Sequence, residues 1–101
     1  MYRGTTPTIV LELDTEVSLA NLAEMWVTFK TSTVKVTKTL SDVTIDDELK
    51  TIVVSLTQEE TLKLYNGNCE VQIRFRDSNG NAYSTDIGDV NVGRILKEGV
   101  I

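Results

Sequence analysis

The chain has 101 residues, 41% hydrophobic and 25% charged, with 10 Lys plus Arg against 15 Asp plus Glu and a net charge of −5. This composition is that of one globular domain over 1–101 and argues against disorder, while the negative balance repels phosphate backbones, so no nucleic-acid partner is expected. With no histidine, histidine-based triads and most catalytic zinc sites are excluded, and the lone Cys69 leaves no internal disulfide to form.

Residues 1–5 contain no apolar signal region, and no run approaches the ~18 apolar residues of a membrane span. The expectation is a complete, soluble chain made in the cytoplasm, without a membrane partner. Residues 8–13 then alternate, with Ile9, Leu11 and Leu13 on one face and Thr8, Val10 and Glu12 on the other. Pro7 just before them fits a strand start, where no ladder donor is lost. After the polar break Asp14-Thr15-Glu16, residues 17–24 read as an irregular crossover that plugs one end of the core.

Residues 25–30 form the second strand, Met25, Val27 and Phe29 inward and Trp26, Thr28 and Lys30 outward. The short polar turn 31–33 leads to a third at 34–38, rich in β-branched residues. Residues 42–46 read as a short edge strand. Residues 51–56 make a fifth, with Ile52, Val54 and Leu56 as its core face.

The helix signal comes next. Thr57-Gln58-Glu59-Glu60 has capping-box spacing, in which the Thr57 hydroxyl accepts the Glu60 amide while the Glu60 carboxylate reaches back to Thr57. Leu62 and Tyr65 share a face and Asn66-Gly67 supplies the stop, which predicts a short helix over about 58–65 between the fifth and sixth strands.

The sixth strand, 69–76, is the best patterned: Cys69, Val71, Ile73 and Phe75 alternate with Glu70, Gln72, Arg74 and Arg76. Asn79-Gly80 marks a hairpin. A two-residue loop would turn Ser84 and Asp86 toward the core. A three-residue loop, Ser78-Asn79-Gly80, instead pairs Phe75 with Tyr83, Ile73 with Thr85 and Val71 with Ile87, and this is the predicted register. The last strand runs from Ala82 to about Arg94, and Gly88-Asp89 reads as a bulge that brings Val90 and Val92 into phase. About seven short strands and one helical crossover predict an all-β, two-sheet antiparallel sandwich.

Chemistry-bearing residues find simpler explanations. Cys69 occupies a core phase and reads as an inert buried thiol. Asp42, Asp46, Asp47 and Glu48 are oxygen donors of the kind that bind calcium, but beside an edge strand they serve to block edge-to-edge pairing. In Asp77-Ser78-Asn79-Gly80-Asn81 the glycine and closing glutamate of a calcium loop fall on Ala82 and Gly88, so turn chemistry accounts for it. No catalytic, metal or cofactor site is expected. Arg74 and Arg76 share an outward face with Lys30 only if their strands are neighbours; such a face could take a phosphate or carboxylate, but an ordinary wet sheet face is the preferred reading.

Outward apolar residues are more telling. Val10, Trp26 and Val53 interrupt polar faces, and the chain ends on Val100-Ile101. Trp26 is either covered by the 17–24 crossover or an anchor for a protein interface, where Trp is enriched. Val100 and Ile101 are expected to dock on their own sheet or on a neighbouring subunit. The candidate interaction residues are therefore Trp26, Val10, Val53, Val100 and Ile101. A monomeric ligand-binding module, for instance for carbohydrate, is the alternative.

The run Leu56-Thr57-Gln58-Glu59-Glu60-Thr61, Gly67, Val71-Gln72-Ile73-Arg74, Gly80, Ser84, Val90-Asn91-Val92 and the ending Leu96-Lys97-Glu98-Gly99-Val100-Ile101 resembles small proteins encoded among phage or prophage structural genes of Gram-positive bacteria. More loosely, the chain is similar to the immunoglobulin-like N-terminal domain of phage baseplate upper proteins, although Cys69 lacks the partner cysteine of true immunoglobulin domains. The resemblance covers the C-terminal half well and the first half in outline. It implies an immunoglobulin-like sandwich with a non-enzymatic structural or adaptor role in a virion, tail or baseplate. Its partners would be itself, as a homo-oligomer, or other virion proteins.

Overall fold

Among the residues described by the computed structural model, 1–32 and 34–101, there are eight strands, one short helix and one 3-10 turn. Thr33, part of the turn expected at 31–33, lies outside the described residues. In chain order the elements are β1 (Thr8–Glu12), β2 (Leu22–Thr31), β3 (Val34–Thr39), the 3-10 turn Leu40–Asp42, β4 (Val43–Asp46), β5 (Thr51–Ser55), α1 (Gln58–Lys63), β6 (Gly67–Asp77), β7 (Ala82–Ser84) and β8 (Gly88–Val92). One antiparallel sheet runs β1-β5-β4. The other runs β3-β2-β6, with β7 and β8 lying end to end along the far side of β6. The two antiparallel sheets make an all-β sandwich, as expected.

The sandwich forms where the period-two pattern is strongest. Met25, Val27 and Phe29 of β2, Ile52 and Val54 of β5, and Cys69, Val71, Ile73 and Phe75 of β6 all turn inward and belong to one core cluster. β2 and β6 are the central pair of the larger sheet, with Val27 opposite Ile73 and Phe29 opposite Val71. Phe75 stacks on Tyr83 with ring centroids 5.1 Å apart. The chain between β1 and β2 plugs one end, as expected, through the buried Leu19, whose amide donates to Asp47 Oδ1 at 2.6 Å.

The three-residue hairpin is present. Asp77 N–H donates to Asn81 O at 3.0 Å, Gly80 has φ +87°, and Phe75 pairs with Tyr83. That φ is why a glycine stands there. The predicted register continues to Thr85, whose amide donates to Ile73 O at 2.9 Å, and then fails. Val71 pairs with Gly88 rather than Ile87, so the extra residue enters before Gly88 and not at Gly88-Asp89. The expected single last strand is consequently two short ones, eight strands in all among the described residues, and Ile87 is turned out to solvent at 57% exposure. Re-phasing itself is as expected: Val92 is buried and Val90 packs against the core.

α1 begins as predicted, with Glu60 N–H donating to Thr57 Oγ1 at 3.2 Å and Thr57 N–H to Glu60 Oε1 at 2.9 Å. It ends sooner than residue 65, at Lys63, because Leu64 leaves the helix in an extended conformation to bury its side chain. The buried residues are therefore Thr61 and Leu64, whereas Tyr65 is exposed and Gly67 opens β6. Thr61 also fastens the N-terminal segment, accepting from Thr5 N–H at 3.1 Å and donating to Thr5 O at 2.9 Å. Upstream of that clasp Tyr2 bridges Gly93 in parallel, and a Cβ at Gly93 would collide with the Tyr2 ring.

Four carboxylates hold these turns and are more acidic than usual. Asp47 is lowered by the Lys50 ammonium and the Leu19 amide, and Asp42 by the Thr39 amide and hydroxyl. Burial pushes Glu60 up, but Lys38 and the Thr57 amide outweigh it; burial likewise pushes Asp77 up and is outweighed by Asn81, Asn79 and Gly80. A folded value below the unfolded one gives stability that is complete above the unfolded value, ~4, and lost as pH falls through the folded value. Glu60, 2.7 Å from Lys38, offers the test. Glu60→Gln is expected to cost about 1 kcal/mol at pH 7. In paired urea melts that gap is expected to narrow toward about pH 3; a gap of constant size would show that the charge contributes nothing.

Candidate functional site

Trp26 lies on the outer face of the larger sheet, 38% exposed. Its position follows from β2 itself: Met25 and Val27 are committed to the core, so the pleat sends Trp26 the other way. The 17–24 crossover does not cover it, because Leu22, Ala23 and Glu24 have joined β2 as its first residues. Across the sheet Trp26 stands between Thr39 of β3 and Arg74 of β6. The next outward row is Thr37, Thr28 and Gln72, and the one after it Lys35, Lys30 and Glu70.

These rows line an open trough of about 710 Å³, with Trp26 and the extruded Ile87 as its exposed apolar members and the core residue Val71 at its floor. A second depression of about 470 Å³ lies on the other side of Trp26, against Leu40 and Thr39. The indole thus separates two hollows. β2 and β6 being neighbours, Lys30, Arg74 and Arg76 do share this face. Arg76 is neutralised by Glu24 at 3.1 Å, but among the described residues Lys30, Lys35 and Arg74 have no carboxylate within salt-bridge distance. The trough is therefore lined by three cations and one anion, Glu70, in a chain whose net charge is −5.

Val10 and Val53 sit on the opposite side of the molecule. They are directly paired on the outer face of β1-β5-β4, in a row completed by Thr44. Val10 is exposed at 58%, while Val53, flanked by a strand on each side, is half-buried. The adjoining row is Glu12, Thr51 and Asp46. Every outward position of these three strands is neutral or acidic.

The remaining predicted residues lie apart from both faces. Val100 and Ile101 do not bury their side chains; Ile101 is 87% exposed. What holds the tail is its backbone. Ile101 N–H donates to Gln58 Oε1 at 2.9 Å and Gln58 Nε2 donates to Ile101 O at 3.2 Å, which ties the chain end to the start of α1. The five candidates therefore fall in three places. Sequence reasoning misses Ile87 because it puts the bulge one step late; an insertion at Asp86-Ile87, just ahead of the flexible Gly88, turns that side chain outward.

Groups of possible chemical use are occupied structurally. Asp42 accepts from Thr39 N–H at 2.9 Å, Asp46 from Leu49 N–H at 3.0 Å, and Asp47 from Leu19 and Lys50, so this acidic stretch serves turns and a crossover. Cys69 is fully buried and burial pushes its thiol up. Both conditions suppress thiolate chemistry. Ellman's reagent is accordingly expected to leave native Cys69 unmodified and to react with it in denaturing urea; rapid modification of folded protein would place the thiol at the surface.

Comparison of the chain with protein-family models, with curated proteins and with solved structures finds no match.

Proposed function

We propose that the chain is a non-enzymatic, phage-derived structural or adaptor protein that works by contact with other virion proteins or with itself. The reading rests on the sequence resemblance described above and on one observation: Trp26, a large apolar side chain, stands exposed between two hollows on an open sheet face. Trp in such a setting is the residue type that anchors protein contacts.

Two measurements test it. Particles purified from an induced culture of the source bacterium are expected to contain the chain by mass spectrometry; consistent absence from particles would end the virion assignment. Trp26→Ala is expected to lower stability by about 1–2 kcal/mol, well short of the loss for a fully buried aromatic because the indole is part exposed on the outer face, while removing attachment to the particle. A large loss of stability would make Trp26 a packing residue instead.

A second reading is favoured by the polar floor of the trough, where Thr28, Thr37 and Gln72 lie beside the indole. A monomeric carbohydrate-binding module would use such a floor. Glycan-array binding that disappears in Trp26→Ala would establish it over the first.

A further inference from the structure

The two outer faces of the sandwich differ in charge, one carrying a trough with an excess of cations and the other only carboxylates, and are alike in having an apolar centre. On β3-β2-β6 that centre is Trp26 with Ile87, bordered by Lys30, Lys35 and Arg74 and, at one end, by Glu70 with Asp89 of β8 beside it. On β1-β5-β4 it is Val10 with Val53, bordered by Glu12 and Asp46 and, among the outward residues of those strands, by no cation. A cationic trough is an exception in a chain of net charge −5, and its complement is found on the reverse side of the same molecule.

We infer that the occupant of the Trp26 trough is the Val10–Val53 face of a second copy of this chain, so that copies stack back to front. The inference rests on the reading of the Trp26 face as a protein-contact surface and specifies its partner. Charge decides the pairing. Trough against trough would oppose cations to cations, and valine face against valine face would oppose carboxylates to carboxylates; juxtaposing like charges suppresses those arrangements. The remaining pairing joins two different surfaces and is heterologous. In a sandwich the outer faces of the two sheets point in opposite directions. Each added copy therefore presents a fresh trough or a fresh valine face, and the assembly extends instead of closing as a two-fold dimer. The sheet edges stay outside the contact.

A charge exchange tests this without reference to any phage. One variant, Lys35→Glu with Arg74→Glu, makes both faces acidic. The other, Glu12→Lys with Thr44→Lys, makes both faces basic; it leaves Asp46 in place because that carboxylate holds the Leu49 turn. All four positions are exposed strand sites. Sedimentation velocity is run from about 10 µM to about 1 mM protein, in salt of about 50 mM and about 500 mM.

The wild type is expected to gain mass steadily with concentration and to lose it at high salt. Each variant alone is expected to associate at least ~10-fold more weakly, and an equimolar mixture of the two to recover the wild-type behaviour. Circular dichroism melts confirm that each variant folds, and Lys35→Glu paired with Glu12→Lys is the milder exchange should either double variant fail. A wild type that is monomeric throughout, a variant that assembles alone, or a mixture that stays monomeric would each overturn back-to-front stacking. Detection of the chain in purified particles despite such a result would leave the structural reading standing with a different partner, so the two failures are separable.

Discussion

Ile73→Asp is expected to leave no soluble, cooperatively folding protein. Ile73 is 3% exposed at the middle of β6, opposite Val27 on one side and bonded through its backbone O to Thr85 on the other. Losing the isoleucine forfeits about 1.5–3 kcal/mol of burial. Placing a carboxylate in its stead adds several kcal/mol whether it stays ionised without a partner or takes up a proton. A domain of this size has only about 5–15 kcal/mol in total. The conservative Ile73→Val, at about 0.5–1.5 kcal/mol, is expected to melt cooperatively. An ordinary melting curve for the aspartate variant would mean that β6 presents its other face to the core.

Phe29→Ala is expected to lower stability by about 3–5 kcal/mol, equivalent to a fall of roughly 15–30 °C in Tm for a domain near this length. Phe29 is completely buried in the C-terminal half of β2, paired with Val36 and Val71, so a cavity there opens between two neighbouring strands and beneath the facing sheet. Trp26 lies three residues earlier on the same strand and on the opposite face. The comparison of the two truncations is therefore internal. Thermal melts in which both variants fall equally far would remove the distinction between a packing aromatic and a contact aromatic, and with it the basis for assigning function to the outer face.

The hairpin is legible in the amino-acid sequence because its determinants are local. Asp77 and Gly80 set the turn, and the alternation from Cys69 to Phe75 admits one register that keeps Tyr83 inward. α1 is half legible. Its start depends on Thr57 and Glu60, neighbours within one cap, whereas its end depends on Leu64 reaching the core, a demand that local spacing does not carry. Ile87 illustrates the same limit. Either side of Gly88 satisfies the pattern, and only pairing with Val71 decides which residue is extruded.

The amino-acid order by itself determined which faces of β1, β2, β5 and β6 are apolar, since a two-residue period assigns alternate side chains to opposite sides and burial then chooses between them. It therefore specified an all-β sandwich and sent Trp26, Val10 and Val53 outward. Which outward residues share a surface was decided by strand order, a long-range property of how sheets assemble. β2 beside β6 brought Trp26, Lys30 and Arg74 together, and β5 between β1 and β4 gathered Val10 and Val53 with Glu12 and Asp46 on the reverse. Charge complementarity between those faces exists only in three dimensions, because the residues that compose each one come from strands separated in the chain.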